Sequence, residues 1–156
     1  MEKTLRSTSL IRFPDCDPFN HLNNARYLDY FINAREDHLM HGLGFNIYQY
    51  ARETGTSWVV GINRIAYLKP AMLMETVSID STILAWRERE VLVEMRMWDE
   101  ERTALKALLW STFVHVDLRS GRSIPHNEAM SARFRPWEAP LPDPSITFEQ
   151  RIAQLR

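Results

Sequence analysis

Asn24-Ala25-Arg26-Tyr27-Leu28-Asp29-Tyr30-Phe31-Ile32-Asn33-Ala34-Arg35-Glu36-Asp37-His38-Leu39-Met40-His41 reads as a single helix of about five turns. Ala25, Leu28, Ile32 and Leu39 fall on one side of it, and Tyr27, Phe31, Ala34 and His38 on another. Apolar and aromatic groups therefore cover more than one stripe, which predicts a helix embedded in the protein rather than lying on it. Asn23 is the expected N-cap and Gly42 the expected C-terminal stop.

On the N-terminal side, Thr4 to Phe13 reads as a strand, and Pro14 and Pro18 stiffen the loop between it and the helix. On the C-terminal side, a short helix is expected from Asn46 to Arg52, ended by Gly55. The chain then turns strongly β. Ser57 to Leu68 is rich in Trp, Val, Ile and Tyr, and Thr76 to Trp86 follows. Val91, Val93, Met95 and Met97 alternate with Leu92, Glu94, Arg96 and Trp98, a period of two with one apolar face. Ala104 to Leu118 is apolar on both sides, as in a strand covered on both faces. Consecutive strands with short connections are expected to be antiparallel neighbours. The fold class is α+β: an antiparallel β-sheet wrapped around one long central α-helix.

The 156 residues suit one domain with a sizeable core. We expect that domain to occupy residues 1–135. Residues 136–156 form a Pro-rich arm, with Pro136, Pro140, Pro142 and Pro144 predicting an extended, poorly packed connector. Thr147-Phe148-Glu149-Gln150 has capping-box spacing and predicts a short closing helix. The formal net charge of −1 gives no global attraction to nucleic acid or an anionic membrane. No apolar run is long enough to span a bilayer. A single cysteine, Cys16, excludes an internal disulfide framework and favours a reducing compartment, so a cytoplasmic location is expected.

The chemistry concentrates in Asp15-Cys16-Asp17-Pro18-Phe19-Asn20-His21-Leu22-Asn23-Asn24-Ala25-Arg26-Tyr27. A helix start leaves backbone N–H groups unpaired and carries partial positive charge, so it can polarise a carbonyl or hold an oxyanion. Asp17 lies a few residues before that start, where it can attack the carbonyl or take a proton from water. Asn20, His21, Asn23 and Asn24 are placed to orient that water or the substrate, and Tyr27 sits within reach of the same space. Each also has a structural role open to it: Asp in a Pro-flanked loop forms turns, Asn caps helices, and Tyr27 packs in a core. Asp15, Asp17 and His21 are a weak candidate for a metal trio, since no other histidine shows paired ligand spacing with them. Cys16 lacks a basic neighbour to activate it. No Gly-rich phosphate loop and no Gly-x-Ser-x-Gly elbow occurs.

Asp15-Cys16-Asp17 followed by His21-Leu22-Asn23-Asn24-Ala25-Arg26-Tyr27-Leu28 resembles the hotdog-fold thioesterases of the 4-hydroxybenzoyl-CoA thioesterase type. The His-Leu-Asn-Asn-x-x-Tyr part looks most like the long-chain acyl-CoA and plant-type acyl-ACP thioesterases. Ile65-Ala66-Tyr67-Leu68-Lys69-Pro70-Ala71 and Glu75-Thr76-Val77 match the family's second strand, turn and third strand. The resemblance implies hydrolysis of acyl-CoA or acyl-ACP without a cofactor, by a homodimer that in many relatives pairs into a tetramer. It implies Asp17 as the catalytic carboxylate and the helix start, near Asn24, Ala25 and Tyr27, as the polarising group. Pro18-Phe19-Asn20 departs from the small residues many relatives carry there. The Asp-x-Asn-Pro-x-His pattern of hotdog hydratases is not matched, so dehydration is not expected.

An acyl tunnel would draw on Tyr27, Phe31, Trp58, Val60, Ile62 and Trp110, all of them equally suited to a core. Arg64, Lys69, Arg87 and Arg89 are the candidates to meet nucleotide phosphates. Arg26 and Arg35 are the candidates for a basic rim that an acidic carrier protein would require. A non-catalytic acyl-binding protein on the same scaffold is the contrasting reading.

Overall fold

The computed structural model describes residues 1–156. Strand β1 (Leu5–Leu10) leads through a loop into a 3-10 turn at Asn24–Arg26 and helix α1 (Tyr27–Asp37). A π-helical turn, His38–Gly42, prolongs that helix, so the helical segment ends near the expected residue with its last turn widened. Helix α2 (Ile47–Thr54) follows. Its N-cap Asn46 accepts from the N–H groups of Tyr48 and Gln49, and Gly55 takes φ +71° as the left-handed cap. Strands β2 (Thr56–Tyr67), β3 (Thr76–Trp86), β4 (Glu90–Asp99) and β5 (Leu105–Asp117) then run in succession, before α3 (Glu128–Phe134) and α4 (Phe148–Leu155).

The five strands form one fully antiparallel sheet in the order β1-β3-β4-β5-β2. β2 and β3 are consecutive but do not pair, contrary to the simple neighbour rule. β2 lies at the far edge on β5, and the connection 68–75 carries the chain back across the sheet. Lys106 holds that crossover: its Nζ donates to the Pro70 carbonyl at 3.0 Å and pairs with Glu75 at 3.0 Å.

The inner face of the sheet, with Val77, Ile79, Val93, Met95, Met97 and Leu109, packs on Tyr27, Tyr30, Phe31 and Ala34 of α1. The other side of α1 is not covered in the single chain, and Ile32 is 46% exposed. One sheet covers one side of a helix, so the expectation of an all-round embedded helix is met on the sheet side only.

The C-terminal segment also differs from its expectation. α3, capped by Asn127, was not foreseen from its short sequence, and it places Met130 and Phe134 in the core. The capping box at Thr147 and Gln150 forms and starts α4. Pro140, Pro142 and Pro144 stay exposed in an irregular connector, but the helix after them is packed on the sheet. Phe148 is buried edge-on to Trp110, and Arg151 grips Glu94, 1% exposed on the outer sheet face, through two hydrogen bonds of 2.8 Å. An apolar anchor beside a paired buried carboxylate fixes a segment that composition alone reads as loose.

Candidate active site

The loop from Asp15 to Asn23 is folded around Asp17. Oδ1 of Asp17 accepts from the N–H groups of Phe19 at 2.9 Å and His21 at 3.1 Å, and its own N–H donates to the His21 carbonyl. This Asx-turn closes the loop and needs Asn20 in the left-handed region at φ +62°, which Asn tolerates. The loop is stitched to the crossover through Leu22 N–H to the Ala71 carbonyl, Leu73 N–H to the Asn20 carbonyl, and a bridge between His21 and Met72. The second carboxylate oxygen of Asp17, Oδ2, makes no hydrogen bond within the chain. Asp17 is half-buried and uses one oxygen for structure while the other is free for chemistry.

Asp17, His21, Leu22, Asn24, Tyr27, Tyr67, Leu68, Lys69 and Pro70 line one cleft of about 260 Å3. The start of the principal helix opens into it. Asn23 caps that start by accepting from Ala25 N–H at 2.9 Å, and Arg26 N–H donates to the Asn23 carbonyl. The N–H of Asn24 finds no partner in the chain and remains available to a ligand oxygen. Tyr67, at the end of β2, donates to the Asn24 carbonyl at 3.0 Å and packs edge-on to Tyr27. Tyr27 in turn accepts from Ala71 N–H at 3.2 Å, tying the helix to the crossover, and burial pushes its phenol pKa up.

Five of the nine expected site residues thus share the cleft: Asp17, His21, Asn24, Tyr27 and Lys69. The other four have different duties. Asn20 makes the turn, Asn23 caps the helix, and Ala25 spends its N–H on that cap. Arg64 is turned to the outer face of the sheet, where it pairs with Glu149 at 3.0 Å and covers the Phe148 ring. It cannot serve a ligand in the cleft. Arg87 and Arg89 are likewise engaged locally, with Glu90 and the Ser123 carbonyl. Of the rim candidates, Arg26 is exposed and pairs with Asp29, whereas Arg35 points into the fold and donates to Ser81.

Of the tunnel candidates, Trp110 lies on the outer face against Phe148. Asp15 accepts from the Tyr30 hydroxyl at 2.6 Å; burial and that bond raise the Tyr30 pKa to about 12. Burial and the charges of Asp15 and Asp17 push the Cys16 thiol up, away from a reactive thiolate. Tyr67 is the cleft residue that reading for chemistry missed. Its signal was its place at the strand end directly before Leu68-Lys69-Pro70.

A five-stranded antiparallel sheet packed on a central helix defines a hotdog fold. Residues 11–134 match the family described as the thioesterase-like superfamily, and the chain belongs to it. It is 28% identical to the long-chain acyl-CoA thioesterase FadM of Escherichia coli K12 over 108 residues, 69% of this chain and 80% of that protein. The fold superposes on the probable thioesterase YbaW of Escherichia coli with a TM-score of 0.73 at 22% identity, covering 86% of this chain and 99% of that one. It superposes on SAV2348 of Staphylococcus aureus, solved in complex with CoA, with a TM-score of 0.80 at 13% identity, covering 94% and 91%.

Proposed function

We propose that this protein hydrolyses acyl-CoA thioesters to a free acid and CoA, with Asp17 as the catalytic carboxylate. The observation that carries the reading is the free Oδ2 of Asp17 in the same cleft as the unpartnered N–H of Asn24. The amide holds the thioester oxygen and stabilises the negative charge that develops on it. Asp17 then acts in one of two ways. As nucleophile it bonds to the carbonyl carbon and expels CoA thiolate, and water cleaves the resulting anhydride. As general base it takes a proton from the water that attacks. His21 and Tyr27 border the same space, and Lys69, exposed at the rim with no ion pair, is the cation available to CoA phosphates. Membership of the thioesterase-like superfamily supports the same activity.

The reading includes a homodimer acting in the cytoplasm. Edge strand β2 presents Val59, Val60 and Ile62 at 46%, 44% and 60% exposure, an unpaired apolar edge suited to antiparallel pairing with a second copy. No helix is long and apolar enough to cross a membrane. Acyl-ACP is the less favoured substrate, because Arg35 is withdrawn from the basic rim a carrier would need.

Asp17→Asn keeps an acceptor at Oδ1 for the Asx-turn and removes the charge. Turnover of a panel of acyl-CoA esters, followed by thiol release, is expected to fall about a hundredfold or more with an unchanged circular dichroism spectrum. A folded variant with near-native turnover refutes the assignment. Single turnover in 18O water tests the nucleophilic route: label entering the Asp17 carboxylate marks an anhydride opened at the Asp17 carbonyl, which general-base hydrolysis cannot give.

A further inference from the structure

The α-carbon of Asn24 joins two peptide units, which together carry four polar groups. The Asn23 carbonyl accepts from Arg26 N–H at 2.7 Å. The Ala25 N–H donates to Asn23 Oδ1 at 2.9 Å. The Asn24 carbonyl accepts from the Tyr67 hydroxyl at 3.0 Å. The fourth group, the Asn24 N–H, is the one left over. The first two bonds lie inside the short turn Asn23–Arg26, so they set its internal shape but not its attitude toward the cleft. The Tyr67 bond is different. It reaches the turn from the last residue of β2, 43 positions along the chain.

Tyr67 is itself held firmly. Its backbone pairs with Ala107 of β5, which is wholly buried. Its ring stands edge-on to that of Tyr27, with centroids 5.1 Å apart. Tyr27 is buried and tied to the crossover through Ala71 N–H, so it is a fixed wall. An aromatic side chain has two rotatable bonds, and here a neighbouring ring and a hydrogen bond settle both. The path from the sheet to Asn24 therefore runs through one phenol. That phenol lies on the wall of the Asp17 cleft and is exposed there, outside the core. Its single proton is spent on the carbonyl next to the free amide.

We propose that Tyr67 is a positioning residue for thioester cleavage, its hydroxyl fixing the direction in which the Asn24 amide meets the substrate carbonyl. The inference rests on the acyl-CoA hydrolase reading above. An amide stabilises a developing oxyanion when it is already aimed at the place where the charge forms, and deleting such a donor costs a hundredfold or more in kcat, on the order of subtilisin's oxyanion-hole loss. Loosening the donor is milder than deleting it, so a loss of about tenfold is expected. The neutral carbonyl of the bound ester depends on that bond less than the oxyanion does, so the loss falls on kcat and spares KM.

Tyr67→Phe keeps the ring against Tyr27 and removes the hydroxyl. In the ligand-free native protein, 15N relaxation is expected to give the Asn24 amide an order parameter of about 0.85, the value of rigid backbone. In Tyr67→Phe it should drop toward about 0.6, while the amides of β3 and β4 keep their native values. An Asn24 amide equally rigid in both proteins overturns the proposal. With acyl-CoA esters as substrates, the variant is expected to lose about tenfold in kcat with KM changed less than about twofold. A loosened amide with native kcat also overturns it, and so does a loss carried by KM alone.

A ketone analogue of acyl-CoA, with CH2 in place of the thioester sulfur, adds a readout that a general loss of structure would not imitate. Its 13C-labelled carbonyl is expected to resonate upfield in Tyr67→Phe relative to the native protein, because the polarising hydrogen bond is weaker. An identical shift in the two proteins counts against Tyr67. A native protein that cleaves none of the esters overturns the hydrolase reading, whereas the relaxation measurement needs no substrate and still decides whether Tyr67 holds the amide. Failure of the activity and failure of the positioning are thus distinct results.

Discussion

At the scale of single residues, Asp17 and His38 show how position divides labour among polar groups. Asp17 spends one oxygen on two backbone amides and keeps the other open to the cleft. His38 is buried between Ser7 and Ser81 and titrates near 4, against about 6.5 for an unfolded histidine. Between those values the unfolded chain takes up a proton that the folded chain refuses. Stability is therefore fully present above about pH 6.5 and falls as pH drops toward 4, by up to about 3 kcal/mol from this group. Thermal melts across that window are expected to show the loss, and His38→Gln should flatten the slope whatever it does to stability at neutral pH. An unchanged slope in the variant would assign the acid sensitivity elsewhere. Much of this scale was legible in the sequence, because Asp17, His21, Asn24 and Tyr27 are neighbours along the chain. Lys69 was found by its charge near a turn. Arg35 was misjudged, since a lone arginine on a helix with several apolar stripes carries no sign of which stripe it joins.

At the scale of elements, local signals set the boundaries well and the directions of side chains less well. β3 spans Thr76 to Trp86 as its composition predicted, and the stop at Gly55 and the capping box at Thr147 both form. The sequence groups Ile62 with Trp58 and Val60 as a tunnel candidate and offers Arg64 as a cation free to meet phosphates; a bulge in β2 places both on the outer face. The register of β2 on β5 shifts between Val60 and Ile62, so Gly61 is an extra residue that reverses the alternation beyond it. Val60 pairs with Phe113 on the inner face, while Arg64 pairs with Trp110 on the outer one. A strict period of two carried from Trp58 and Val60 across the bulge would put Ile62 on the inner face. α4 was legible in its start and illegible in its docking, which depends on Glu94 and Trp110, distant in sequence. Phe148→Ala removes its apolar anchor and is expected to cost about 3 kcal/mol in urea unfolding. A negligible change would mean that Arg151 alone holds the helix.

At the scale of the whole molecule, the antiparallel order could be anticipated, but not the placement of β2 beside β5, since pairing partners are set by long-range closure rather than by local pattern. That placement leaves β2 as a free edge with the crossover that lines the Asp17 cleft at one end. Ile62→Lys is exposed in one chain and should leave the protomer folded. It is expected to shift the mass in analytical ultracentrifugation from dimer to monomer and to lower thiol-release activity with it. A variant that keeps the native mass excludes this edge as the contact. The grip of α4 on the reverse of the sheet carries one more consequence. A neighbour approaching from behind would meet a charged helical splint where bare strands would otherwise lie, so stacking two sheets back to back would first require prising that splint away.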